Sequence, residues 1–220
     1  MARVRTAVLI SGRGSNLSAL LAAARDPAYP AEVALVLSNR PEAAGLRFAA
    51  AAGVPAIVID HRRYPTKADF EADIQAALDS AKVEIVCLAG FMRLLSDSFV
   101  ARWRDRMINI HPSLLPAFRG LDTHQRALEA GVRIHGATVH FVRPEVDSGP
   151  IIAQVAVPVL SGDDAETLAA RVLAAEHRLY PQALALVARK VARVVGERVL
   201  VDAEAPDLGG RSLLVPDPSA

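Results

Sequence analysis

One cysteine, Cys87, stands in a chain of 220 residues. A single thiol excludes an intramolecular disulfide framework and a cysteine-based zinc site. Aromatic residues make up only 5% of the chain, whereas alanine supplies 41 positions. The core must therefore be built from aliphatic groups and closely packed helices. An excess of one charge sign is also missing, since 25 Lys and Arg face 24 Asp and Glu. Without a concentrated basic face no nucleic-acid partner is expected, although one local pocket for a small anion is compatible with this balance. Apolar runs such as residues 85–92 fall far short of the ~20 residues that cross a bilayer. The N-terminal apolar run, Ala7 to Ile10, is too short for a signal peptide. A cytoplasmic protein without a membrane partner is the expectation.

What is present is an apolar fraction of 52%, enough for a real core. The length suits one α/β domain, expected over residues 1–202. A loose tail is expected over 203–220, where the composition turns to Pro, Gly and Asp. The first half alternates short β-branched runs with alanine-rich helical stretches. Strands are expected at 4–10, 33–38, 56–59, 84–89 and 107–110. Helices are expected at 16–25, 41–52, 67–80 and near 96–103. Strands that are apolar on both faces and separated by helices require a parallel sheet covered on both sides, the doubly wound pattern. Residues 134–142 and 151–160 then read as an antiparallel pair added to that sheet, turning at Asp147-Ser148-Gly149-Pro150. A long helix should run from about 163 to 188, capped by Ser161-Gly162-Asp163-Asp164, with Leu168, Val172, Ala175 and Leu179 on its buried face. Pro181 is expected to kink or divide it. Residues 191–201 suit one more strand or hairpin.

Three constellations could carry chemistry. Ser11-Gly12-Arg13-Gly14-Ser15-Asn16 falls between a strand and a helix, where backbone N–H groups can hold a phosphate and glycine lets the backbone approach it. It is not a dinucleotide fingerprint: the third glycine is replaced by Leu17, and Ser38-Asn39-Arg40 offers no acid for a ribose. A plain Gly-rich turn capped by Ser15 or Asn16 is the alternative. Asn109 and His111 are two apart at the end of a strand, so they project to one face, where a carboxamide and an imidazole can stabilise oxygen charge and move a proton. The alternative is that they only bind the loop stiffened by Pro112 and Pro116. Asp147 lies in a Gly/Pro turn and is either a turn-former or, if the sheet brings it beside His111, the group that favours the protonated ring. His135 and His140, five apart on one strand, should face opposite sides and share no metal. Cys87 reads as a core residue. Glu176 borders the buried face of the long helix, where it could be half buried; the plainer reading is a solvated or salt-bridged helix carboxylate.

In order along roughly residues 4–200, the segments VLISGRGSNL, LSNR with AAGVP, VCLAGFMRLLS, INIHPSLLPAFRGLDTH, HGATVHFV, VDSGPII and AEHRLYP resemble the folate-dependent formyltransferases. The GSN loop and the length resemble the glycinamide ribonucleotide branch of that family. Methionyl-tRNA formyltransferases carry a further C-terminal domain, and formyltetrahydrofolate hydrolases an N-terminal regulatory one. The resemblance implies the formyltransferase fold, a doubly wound, Rossmann-like, mostly parallel sheet extended by antiparallel strands. It implies 10-formyltetrahydrofolate as co-substrate, glycinamide ribonucleotide as acceptor, and no metal or nicotinamide. Asn109, His111 and Asp147 match the family's catalytic trio. Gly14, Ser15 and Asn16 match its phosphate site, and Glu176 its ribose contact. Met92, Arg93, Leu94 and Leu95, together with the loop Arg143, Pro144, Glu145, Val146 and Asp147, match its folate site, to which Asn109 and Lys67 also belong. Two departures stand out: Lys67 where relatives often have arginine, so that a point charge replaces a planar fork, and Asp122 where they often have histidine. A hydrolase of the same folate and a non-catalytic phosphate-binding domain remain as rival functions. The oligomeric state, a homodimer included, is left open.

Overall fold

Successive residues of the first strand, β1 (Val4–Ile10), serve two different cores. Ala7 and Leu9 point to one face of the sheet and Val8 and Ile10 to the other. A strand buried on both sides needs cover on both sides, which the helices supply. The computed structural model describes residues 2–202, and the expected tail at 203–220 lies outside the described residues.

Strands β2 (Ala31–Ser38), β3 (Ala56–Val58), β4 (Ile85–Leu88) and β5 (Met107–His111) continue the parallel sheet. Strands β6 (Ile134–Phe141) and β7 (Ile151–Pro158) add the antiparallel edge, giving the order β3-β2-β1-β4-β5-β6-β7. Helices α1 (Ser15–Ala23), α2 (Leu46–Ala51), α5 (Thr123–Glu129) and α6 (Ala165–Ala188) cover one face; α3 (Lys67–Ser80) and α4 (Asp97–Arg102) cover the other. A separate hairpin, β8 (Ala192–Val195) and β9 (Arg198–Val201), follows α6.

Several expectations are corrected. Residues 41–45 are not helical; Gly45 donates its N–H to the Gly12 carbonyl at 2.9 Å, holding this segment against the first loop. Helix α5 arises from a stretch with no apolar periodicity, through packing against α6. Pro181 does not divide α6, which runs through it without a break. The cap of α6 falls within the expected 161–164 segment, at Asp164 in a reciprocal box with Thr167, and Asp163 pairs with Arg171 at 2.6 Å. Tyr180, in the interior of α6, donates its hydroxyl to the carbonyls of Leu88 (2.9 Å) and Ile108 (3.2 Å), tying the helix to β4 and β5 beside the site described below.

His135 and His140 have separate surroundings, as alternation requires. His135 is buried between Phe118 and His124, with ring centroids 5.7 and 5.5 Å away; among the described residues neither ring nitrogen has a partner of good hydrogen-bond geometry, and the Pro112 carbonyl opposes its pKa shift only weakly. Burial, with the neighbouring His124 as a smaller cause, pushes its pKa down from 6.5 to about 4. The folded value is the lower one, so the unfolded chain binds the proton first. Stability on this account is intact above pH 6.5 and is lost progressively as pH falls toward about 4. His135→Phe is expected to flatten that loss in melting profiles taken from pH 7 to 4. Parallel profiles for wild type and variant would contradict it.

Candidate active site

Strand β5 alternates between core and site. Ile108 and Ile110 enter the core beneath α6, which leaves Asn109 and His111 on the opposite face. The Nε2–H of His111 donates to the Phe118 carbonyl at 3.0 Å, and its Nδ1 lies 3.3 Å from Asp147 Oδ2. A carbonyl and a carboxylate both accept, so only the doubly protonated ring can donate on both sides. Asp147 adopts φ 50° in the β6–β7 loop and accepts the Gly120 N–H at 2.9 Å. The β6–β7 loop therefore brings Asp147 beside His111, on the face of β5 that also carries Asn109.

A fourth member escaped the sequence reading, which weighed His140 only as a metal ligand. The β5–β6 register sets His140 opposite Asn109. Its Nδ1–H donates to the Phe141 carbonyl at 3.0 Å, so in the neutral ring Nε2 is an acceptor, and it lies 3.2 Å from Asn109 Nδ2. Burial pushes the His140 pKa down; the Phe141 carbonyl and, less strongly, Asp147 at 3.8 Å oppose it. A neutral His140 thus fixes which way the Asn109 carboxamide points. The available signal was a polar residue inside the apolar run of β6, which acquires meaning only once the register is known.

The Ser11–Asn16 loop leaves a helix start open. Gly14 has φ 75°, and a Cβ there would come within 2.4 Å of Gly45 Cα, so only glycine fits. Helix α1 has no side-chain cap and no acidic residue in its first turn. Among the described residues its first N–H groups, from Ser15 and Asn16, have no acceptor, which leaves them open to an anion. Asn16 Nδ2 donates to Glu176 Oε2 at 2.7 Å. Burial pushes the Glu176 carboxyl pKa up, with the Asn16 hydrogen bond opposing. Glu176 is only 5% exposed, more enclosed than expected.

The third group follows β4. Met92 donates its N–H to Ser11 Oγ at 2.7 Å, and Ser11 in turn donates to Asn39 Oδ1 at 2.5 Å. Met92 (62%) and Leu94 (68%) expose apolar side chains, as does Val146 in the β6–β7 loop, whereas Leu95 packs against the core. Lys67, Arg93 and Leu94 share a cavity of about 230 Å³ with His61, Tyr64 and Phe70. A larger groove of about 700 Å³ between α3 and α4 contains none of the trio. Arg143 differs from its neighbours: its side chain turns away to Asp105 and Glu197, leaving only its backbone for a ligand. Glu145 pairs with Arg119 at 3.2 Å. Asp122 sits exposed at the start of α5 with φ 55°. Among the described residues no group of three or more His, Cys, Asp and Glu could hold a metal ion, and no helix is long and apolar enough to cross a membrane.

Fold and site together define a class: an open α/β enzyme fold with its polar groups beyond the strand ends, and a carboxamide, imidazole and carboxylate arranged for oxyanion and proton chemistry. The chain belongs to the formyl transferase family, whose sequence profile matches residues 4–184. It is 52% identical over 192 residues to the trifunctional purine biosynthetic protein adenosine-3 of Gallus gallus, covering 87% of this chain and 19% of that protein. The chain thus spans about a fifth of the length of that relative. It is 42% identical over 174 residues to phosphoribosylglycinamide formyltransferase of Escherichia coli K12, covering 79% of this chain and 82% of that one. The crystal structure of glycinamide ribonucleotide transformylase 1 from Symbiobacterium toebii matches with a TM-score of 0.88 and 48% identity, covering 90% of this chain and 94% of that one.

If His140 aims Asn109, His140→Phe should lower kcat by about tenfold or more, short of the ~10²–10³ that follows loss of an oxyanion donor itself. Steady-state kinetics at neutral pH check this, and an unchanged kcat would leave Asn109 oriented by other means.

Proposed function

We propose that this protein transfers the formyl group of 10-formyltetrahydrofolate to the amine of glycinamide ribonucleotide, within purine biosynthesis. The observation that carries the reading is the His111–Asp147 contact beside Asn109, within a family of formyl transferases. The phosphate of the acceptor is assigned to the N–H groups of Ser15 and Asn16 beside Gly14, and its ribose hydroxyls to Glu176. The folate ring is assigned to backbone groups of Met92–Leu95 and Arg143–Asp147. Its anionic tail is assigned to Lys67 and Arg93, whose cavity opens beside Leu94. The reading calls for no metal and no nicotinamide.

In this mechanism the amine nitrogen attacks the formyl carbon, forming a C–N bond while charge develops on the formyl oxygen. The Asn109 carboxamide N–H and the His111 Nε2–H stabilise that charge. The latter donates to Phe118 in this structure, and in the reaction the formyl oxygen takes the place of that carbonyl. Asp147 keeps the ring charged and takes part in removing the proton that the attacking nitrogen sheds, through water. The bond to folate N10 then breaks, N10 receives a proton, and tetrahydrofolate leaves. Holding two substrates in register supplies an advantage of up to roughly 7–11 kcal/mol in well-oriented systems.

The test is consumption of 10-formyltetrahydrofolate with and without glycinamide ribonucleotide. Consumption that depends on the amine is expected. Formate release without it would identify a hydrolase instead, and no consumption under either condition a binding domain.

Asp147→Asn and His111→Ala are each expected to lower kcat by about 10² or more, and the double variant to be little worse than either, because residues acting as a unit are non-additive. Additive losses would separate the two residues and return Asp147 to a turn.

A further inference from the structure

The β6–β7 loop carries Asp147 and, in the reading above, the backbone that holds the folate ring, yet it has few anchors of its own. Ser148 Oγ donates to the Glu145 carbonyl at 2.8 Å. Its tip meets the 112–122 loop, through Gly120 to Asp147 and Arg119 to Glu145, and Asp147 faces His111 and His140. Its beginning is held differently. The Arg143 side chain is only 8% exposed, and every nitrogen of its guanidinium is engaged. Nη1 donates to the Val142 carbonyl at 3.1 Å, Nη2 to Asp105 Oδ1 at 2.8 Å and Nε to Glu197 Oε2 at 2.9 Å. Asp105 lies two residues before β5, the strand that bears Asn109 and His111. Glu197 lies in the turn of the β8–β9 hairpin and also meets Arg104 at 2.5 Å. Two cations and two carboxylates therefore close one network across three separate segments.

We infer that Glu197, acting through Arg143, is a positioning residue for the formyl-donor site, so that the C-terminal hairpin sets how well the β6–β7 loop holds its ligand. The inference rests on the donor assignment made above. A planar, enclosed guanidinium held at three nitrogens by three different acceptors has its direction as well as its distance fixed. With Glu197 removed, Asp105 alone holds the charge and the side chain regains rotational freedom at the root of the loop. The Arg143 guanidinium, and then Arg104, hold the Glu197 carboxyl below its usual range, in keeping with a carboxylate that stays charged at neutral pH. The ligand most affected is the donor, because the acceptor's assigned groups at Gly14–Asn16 and Glu176 lie on other elements.

The test uses Glu197→Gln, with Asp202→Asn as the comparison. Asp202 pairs with Arg193 within the same hairpin at 2.7 Å but does not touch Arg143. Glu197→Gln is expected to raise the KM for 10-formyltetrahydrofolate about threefold, a size suited to a half-exposed ion pair. Its kcat and its KM for glycinamide ribonucleotide should stay within twofold. Asp202→Asn should leave all three unchanged. In the ligand-free protein, amides of residues 142–149 should exchange faster in Glu197→Gln than in wild type. In an Arg143→Met background, Glu197→Gln should have no further effect on the donor KM. Unchanged exchange in the loop would overturn the inference, as would an unchanged donor KM or an equal rise in Asp202→Asn. If the wild type turns over no formyl folate at all, the proposed function falls, while the exchange measurement still decides whether Glu197 holds the loop.

Discussion

The Asp147 carboxylate is the contact on which the arrangement of the site depends. One oxygen faces His111 Nδ1 and accepts the Gly120 N–H, and the other faces His140 Nε2 at 3.8 Å. Two loops that share no strand pairing, 112–122 and 142–149, are thereby joined over the end of β5. The same charge stands between two imidazoles with different hydrogen-bond partners. His111 has an acceptor at each nitrogen and is suited to be a cation. Burial lowers the His140 pKa against the opposing Phe141 carbonyl and Asp147, and its Nε2 is placed to accept from Asn109.

A second dependence runs through α6, on the other side of the sheet. Tyr180 binds carbonyls of β4 and β5, and Glu176, one turn earlier, binds Asn16 of α1. The helix thus references the helix start assigned to phosphate and the strand that bears the trio to one rigid element. Ser11 makes the corresponding link above the strand ends, since its hydroxyl accepts from Met92 and donates to Asn39. Groups assigned to two different substrates are in this way held by shared parts of the scaffold, which is what orientation in a two-substrate transfer requires.

Much of this was legible in the residues, and the exceptions have physical reasons. The bounds of β1 and α3 match expectation because hydrophobic period and capping agree there: Thr66 caps α3 through the Asp69 N–H. That Asn109 and His111 share a face follows from strand alternation alone. Helix α5 was missed because its stability comes from contact with α6 and not from its own periodicity. The extent of α2 was overestimated because Gly45 belongs to the close approach of two loops, a property of pairs of distant residues. His140 and the Arg143 network were missed for the same reason: register and ion pairing across 38 and 54 positions leave no local pattern. For the trio, resemblance supplied the roles and the structure supplied the proximity.

The antiparallel edge explains why the site is enclosed. In the parallel part of the sheet, each loop after a strand emerges at the C-terminal end, where Gly14 and Met92 lie. Strand β6 runs the other way, so Phe141 pairs with Ile108 and the chain leaves the sheet near the start of β5. To reach His111, Asp147 must come back along the sheet face by about three residue steps, or ~10 Å. The loop therefore lies over the face that bears Asn109, His111 and His140 instead of standing off the edge. That path buries the imidazoles, which strengthens their interaction with the carboxylate relative to water. It also leaves the root of the loop near the start of β5, where Arg143, Asp105 and Glu197 meet, away from the groups assigned to substrate.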